Sequence, residues 1–231
     1  MMKTLLNGFA GLFYPRICQA CGNSLFKGEE IICTFCMYHL PKTNYHEDDD
    51  NPVIRRFWGK VNISAASSCY FFNKGQKVQK LVHRLKYKGQ KEIGLKIGEL
   101  YGHELAKNGI FCSADLIVPV PLHKSRLRTR GYNQSDFFAK GLSAAMNIPA
   151  ETTLLVRNKK TETQTKKNRF SRWQNVSEVF SVIAKKTIEG KHFLLVDDVI
   201  TTGSTLTACA EVLLRHKDTK VSIASIAYAY H

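Results

Sequence analysis

Acidic residues are scarce in this chain: 19 Asp and Glu stand against 34 Lys and Arg, a formal charge of +15 over 231 residues. So large a deficit points to a polyanionic partner, either a phosphate-rich small molecule or nucleic acid. No apolar run approaches the length of a bilayer crossing, so no membrane span is expected. Residues 1–14 are apolar but broken by Asn7, Gly8 and Gly11, and no small-residue cleavage site follows. The stretch is unlike a secretory leader; Leu5, Leu6, Phe9, Leu12 and Phe13 suit a short amphipathic helix, and a cytoplasmic location is expected. Internal repeats and low-complexity tracts are missing too. The length suits one sizeable α/β domain with a small appendage.

The most informative stretch is Leu194-Leu195-Val196-Asp197-Asp198-Val199-Ile200-Thr201-Thr202-Gly203-Ser204-Thr205. Its apolar first half reads as a strand buried on both faces, ending in two adjacent carboxylates. Leu206, Cys209, Ala210, Leu213 and Leu214 then follow at helical spacing. A strand, a turn of small hydroxyl residues and a helix start make a phosphate cradle, because backbone N–H groups at a helix N-terminus point at an anion. Gly203 lets the backbone approach closely. The Gly-Lys-Ser/Thr of a nucleotide P-loop is absent, which excludes that class. An ordinary βα turn with acids at its mouth is the bland alternative.

Cys18-x2-Cys21 and Cys33-x2-Cys36 are separated by eleven residues. Two such knuckles can supply four thiolates to one tetrahedral zinc. Disulfides disagree with a cytoplasmic chain, and a redox Cys-x-x-Cys would explain only one pair. The segment is too small for its own core, so a metal would supply its folding energy. Cys69, Cys112 and Cys209 each stand alone and are not expected as ligands. Residues 42–52 carry Glu47-Asp48-Asp49-Asp50 and read as a solvated linker. The expected division is therefore a zinc-ribbon-like module with its acidic linker over residues 1–52, and an α/β domain over 53–231.

Within that domain, residues 65–72 read as a first strand and 79–91 as a helix. Leu81, Val82 and Leu85 of the helix turn inward; Lys80, Arg84, Lys86, Lys88 and Lys91 turn outward. A second helix over 93–107 leads to a buried strand, Asp115-Leu116-Ile117-Val118-Pro119-Val120-Pro121, which prolines terminate. Beyond it Lys124, Arg126, Arg128 and Arg130 alternate along an expected loop and form a candidate pyrophosphate clamp. Asn133 or Ser135 caps the next helix. Short strands over 154–156 and 180–182 flank a polar, basic segment, 157–175, of the kind that serves as a lid; Arg157 and Arg169 are its candidate contacts. A last strand spans 221–230. Strands and helices alternate throughout, so the sheet should be mostly parallel with helices on both faces. Both phosphate sites follow strand ends, where ligands bind in such sheets.

The Asp-Asp stretch resembles the PRPP-binding motif of type I phosphoribosyltransferases at every position: hydrophobic run, Asp-Asp, two hydrophobics, Thr-Thr-Gly-x-Thr. The peptide His83-Arg84-Leu85-Lys86-Tyr87-Lys88-Gly89, the Val-Pro-Val-Pro-Leu-His start of the basic loop and the paired cysteines resemble the ComF-like, late-competence branch of that family. The resemblance implies that Asp197 and Asp198 face the ribose hydroxyls and that Thr201, Thr202, Gly203, Ser204 and Thr205 hold the 5′-phosphate. It also implies Mg²⁺ bridging ribose and pyrophosphate oxygens, a flexible loop that closes over the site, and displacement of pyrophosphate at C1. Asp197, Asp198, Lys124, Arg128 and Arg130 are then the expected catalytic group. Two functions fit: transfer of phosphoribosyl to an acceptor that no base-binding signature identifies, in a setting of competence and DNA uptake, or a non-catalytic protein that senses PRPP or binds single-stranded DNA beside other competence proteins.

Overall fold

The computed structural model describes residues 15–73, 75–158, 179–183 and 188–230. The N-terminal helix expected over 1–14 and most of the lid segment, Arg169 included, lie outside the described residues. Four strands, β1 (Ala65–Phe71), β2 (Leu116–Pro119), β5 (His192–Ile200) and β6 (Lys220–Tyr228), form a sheet of order β1-β6-β5-β2. Every neighbouring pair in it is parallel. The short strands β3 (Leu155–Arg157) and β4 (Phe180–Val182) pair antiparallel with each other.

The pleat sends successive side chains of β5 to opposite faces, and both faces are covered. Leu194 and Val196 join the core built with α2 (Lys77–Tyr87), α3 (Glu92–Leu105) and α6 (Gln134–Met146). Phe193 and Leu195 join the other, with α7 (Ser204–Leu214), β3 and β4. Helices α3 and α6 cross at glycines: a Cβ on Gly141 would lie 2.8 Å from Glu99 N, and one on Gly98 would lie 2.9 Å from Leu142 N.

Four local features refine or correct the expectations. The acidic stretch before β1 keeps Glu47, Asp48, Asp49 and Asp50 exposed, and its backbone is a folded turn. The Asn51 amide, 2% exposed, donates to Tyr45 O, Asp48 O and Ala66 O, while Arg55 clasps Asp50 with two N–H donors at 2.6 and 2.8 Å. Just ahead of it, Phe71 N–H donates to Pro41 O and Thr43 N–H to Cys69 O, covering the outer edge of β1. Second, the cysteine segment, with its short helix α1 (Thr34–His39), does not stand apart: Cys18, Cys33, Cys36 and Leu40 share a core with Leu81 and Leu85 of α2. Third, β5 continues through Val199 and Ile200, so the acid pair lies inside the strand. Fourth, the basic run after β2 is helical. After the short turn α4 (Gly109–Cys112) and β2, it forms α5 (Lys124–Arg130), opened by His123, whose Nδ1 accepts from Ser125 N–H, and closed at Gly131. No described helix is long and apolar enough to cross a membrane.

Candidate functional site

The carboxyl ends of β5 and β2 place the acid pair, the turn before α7 and the basic helix α5 at one edge of the sheet. Because the strand alternates, Asp197 and Asp198 do not look the same way. Asp197 borders a small cavity of about 40 Å³ formed with residues 199–206. Its Oδ1 accepts from Ser135 Oγ–H at 3.0 Å, in the first turn of α6, and from Asp198 N–H at 2.8 Å. Burial, then the adjacent Asp198 carboxylate, pushes the Asp197 carboxyl up to about 7. Asp198, 8% exposed, turns to the other side, where Lys86 Nζ meets its Oδ1 at 2.8 Å.

The turn itself is shaped by Gly203, which has φ +76° and lies directly over the buried ring of Phe57. Thr202 and Ser204 share a hydroxyl contact at 3.0 Å, and Thr201, Thr202, Ser204 and Thr205 are exposed at the start of α7. An eleven-residue helix therefore presents its N-terminus beside Asp197.

Between α2 and α5 lies a cleft of about 630 Å³ lined by Lys86, Tyr87, Gly89, Ser125, Arg126, Thr129 and Arg130. Among the described residues its lining carries three cations and no carboxylate. Arg126 and Arg130 are four residues apart on one face of α5, as helical spacing requires. Lys124 and Arg128 belong to another face, exposed and away from this lining. The walls are fastened: Tyr132 Oη–H donates to Leu85 O, and the Arg130 guanidinium lies 5.1 Å over the Tyr87 ring. Arg157 falls in β3, half-buried, 5.3 Å over the Phe180 ring; burial, then the Arg126 guanidinium, lowers its pKa from the ordinary arginine value.

Two residues of this site escaped the sequence reading. Lys86 was placed on the outward basic face, yet it turns to Asp198. The available signal was its position four residues after buried Val82 and next to buried Leu85, at the border of the apolar stripe. Ser135 was read only as a cap; the actual signal was its place in the first turn of the helix that follows the clamp.

At the other end of α2, the sulfur atoms of Cys18, Cys21, Cys33 and Cys36 all lie within 4.8 Å of one another, and Cys21 and Cys33 are 3.8 Å apart. None is in a disulfide. Burial raises the thiol of Cys18, but N–H groups of Cys21, Cys33 and Ala20 outweigh it and bring it to about 6. Such a cluster can hold a metal ion. Cys69 and Cys209 are buried elsewhere and Cys112 is exposed.

Comparison with known proteins follows the same lines. Residues 135–231 match the phosphoribosyl transferase domain. The DNA utilization protein YhgH of Escherichia coli K12 is 32% identical over 147 residues, 62% of this chain and 63% of that protein's own length. Competence protein F of Haemophilus influenzae is 40% identical over 100 residues, 43% of this chain and 44% of that one. Competence protein ComFC of Bacillus subtilis is 28% identical over 201 residues, 86% of this chain and 78% of that one. The match thus spans less than two thirds of the length of the Escherichia coli and Haemophilus relatives. With the acid pair, the phosphate turn and two of the four sheet strands inside it, the segment 135–231 is similar to the phosphoribosyl transferase domain, and the chain is similar to proteins named for competence and DNA utilization.

Proposed function

We propose that the protein binds PRPP with Mg²⁺ and transfers its phosphoribosyl group, releasing pyrophosphate. One observation carries this reading: Lys86 belongs both to the cationic cleft and, through its 2.8 Å bond, to Asp198, so the acid pair and the cleft are parts of one site. The exposed hydroxyl turn before α7 suits the 5′-phosphate, Asp197 and Asp198 the ribose hydroxyls, and Arg126 and Arg130 the pyrophosphate. Carboxylate oxygens fit Mg²⁺, which when bound would neutralise pyrophosphate charge; Asp198, on the side of the cleft, is the residue to hold it. In the reaction the C1–O bond to pyrophosphate breaks and its electron pair leaves with the pyrophosphate, as a nucleophile on the acceptor bonds to C1. The arginines favour that step by meeting charge that grows on the leaving group. Arg157 and Arg169 would contact the ligand from the lid side.

In the cysteine cluster we assign zinc. A tetrahedron with Zn–S bonds of about 2.3 Å has sulfur–sulfur edges of about 3.8 Å, the separation of Cys21 and Cys33. The assignment keeps residues 1–52 a metal-held module against the transferase domain of 53–231.

A second reading has its own support. Lys124 and Arg128 point away from the cleft, and the relatives are named for competence and DNA utilization. Such a face would meet the phosphates of single-stranded DNA, with or without turnover, beside other competence proteins. Calorimetric titration of Mg²⁺-PRPP into the protein and into Asp198→Asn tests the PRPP site, and turnover of PRPP with a panel of bases tests the transfer. Binding should weaken at least about tenfold in the variant, since a hydrogen bond to a charged group contributes roughly 1.5–3 kcal/mol. Absence of PRPP binding by the unaltered protein, with salt-dependent DNA binding retained, would leave only the second.

A further inference from the structure

Val78, Leu81, Val82 and Leu85 anchor α2 in the core, so the Lys86 backbone is fixed while its long side chain, 22% exposed, reaches out from the helix. From that anchor the ammonium meets Asp198 Oδ1, and the same residue lines the cleft with Arg126 and Arg130. One lysine thus stands between a carboxylate that suits a divalent cation and a cleft that suits a polyphosphate. Its three N–H donors can reach both groups, but a divalent cation on Asp198 would repel the ammonium from that carboxylate.

We propose that Lys86 exchanges partners during ligand binding: it neutralises Asp198 until Mg²⁺-PRPP enters, then yields that carboxylate and carries its ammonium to the pyrophosphate. This inference rests on the PRPP reading above and adds a pyrophosphate contact to it. The exchange keeps charge balanced at each stage. With Lys86 on Asp198, that carboxylate is offset; with Mg²⁺ held by Asp198, the lysine would repel the ion and is better placed on the pyrophosphate. It also makes Asp198 a poor ligand for a divalent cation that arrives alone, so metal and polyphosphate are taken up together.

An ion pair that serves only folding makes no such demand, and the two ideas separate in opposite-signed measurements. Lys86→Met keeps the length and apolar contacts of the stem and removes the charge. Manganese ion alone, followed by its electron paramagnetic resonance signal, should bind this variant at least about tenfold more tightly than the unaltered protein, because Asp198 has lost its competitor. Inorganic pyrophosphate and Mg²⁺-PRPP, followed by calorimetry, should bind it at least about tenfold more weakly, because the cleft has lost a cation. Lys86→Arg restores a cation and should bring both values back toward those of the unaltered protein. Thermal melts establish that each variant is folded.

Opposite shifts in the two titrations support the exchange. Two shifts of the same sign, or none in a folded Lys86→Met protein, overturn it. Should the unaltered protein fail to bind Mg²⁺-PRPP at all, the parent reading falls; tighter manganese binding by Lys86→Met would then still establish the competition at Asp198, and unchanged manganese binding would remove the exchange as well.

Discussion

Gly203 offers the sharpest test of how the phosphate turn is built. An alanine there meets two separate costs. The backbone sits at φ +76°, where a Cβ-bearing residue loses about 1–2 kcal/mol. The new methyl carbon would also lie 3.1 Å from Cε1 and 3.3 Å from Cζ of Phe57, a ring with no solvent exposure and therefore no outward escape. Overfilling a packed site of this kind costs about 1–3 kcal/mol. Gly190 supplies the control, since its φ is +69° but nothing lies within 4 Å of an added Cβ. Gly190→Ala should therefore carry the backbone cost alone. In a chain of this size each kcal/mol lowers the melting midpoint by about 2–4 °C, so Gly203→Ala should melt at least about 2–4 °C below Gly190→Ala. A double-mutant cycle with Phe57→Leu isolates the contact: the pair should cost less than the sum of the single changes, because each relieves the other. Equal midpoints for the two glycine variants, or an additive cycle, would refute the reasoning and show that Phe57 gives way freely beneath the turn.

Three further outcomes follow from the same geometry. Protein purified without added metal should contain about one zinc, and stripping it with a chelator should lower the melting midpoint by more than about 5 °C, because Cys18, Cys33 and Cys36 share their core with α2; less than a tenth of an equivalent in folded protein would refute the assignment. The raised carboxyl of Asp197 binds its proton more tightly in the folded than in the unfolded chain, so its contribution to stability is greatest below its ordinary value of 3.8 and falls as pH rises from there to about 7. Urea midpoints at pH 5 and 8 should therefore differ less in Asp197→Asn than in the unaltered protein, and an equal difference would count against the burial argument. Gly141→Ala should fail to fold or lose about 3 kcal/mol or more, since an added Cβ meets backbone of α3 that cannot move aside; a stable variant by urea titration would show that the two helices can separate.

What could be read from the sequence was whatever the chain states locally. The β5 run, the turn after it and the α7 stripe of Leu206, Cys209, Ala210 and Leu213 are set by burial period and by one glycine, and they form as the pattern implies, save that β5 runs on past the acids to Ile200. The basic run after β2 was illegible for a matching reason. It has no apolar stripe, only an exposed Leu127, and its first-turn partner is a histidine, an uncommon cap. Read as an extended loop, alternation would put Lys124, Arg126, Arg128 and Arg130 on one side. As a helix the same four separate, because residues four apart share a face, and Arg126 and Arg130 alone of the four line the cleft. The phase of the backbone, not the charge of the residues, decides which cations belong to it.

The same logic explains why Lys86 and Ser135 came to light only in three dimensions, and what they imply about the acid pair. Asp197 and Asp198 are neighbours in sequence but stand on opposite faces of a strand whose alternate residues enter two different cores. Asp198 is reached from α2, an element more than 100 residues earlier in the chain, and Asp197 from the first turn of α6 and from the turn before α7. No local pattern can announce such partners, because their encounter depends on strand order and on the helices that cover each face. The arrangement has a consequence for how the site can be perturbed. A change in the layer of α2 and α3 acts on Lys86 and Asp198, the side of the cationic cleft, whereas a change beneath α7, as at Phe57, acts on the phosphate turn and Asp197. The two halves of the site are joined through one peptide bond of β5, through the Asp198 N–H bond to Asp197 Oδ1, and through Ser135, which reaches Asp197 from α6 in the layer of α2 and α3. Coupling between the cleft and the turn can therefore run through that strand and through α6, and the position of β5 in the sheet, held by β2 on one side and β6 on the other, is a feature on which both halves depend.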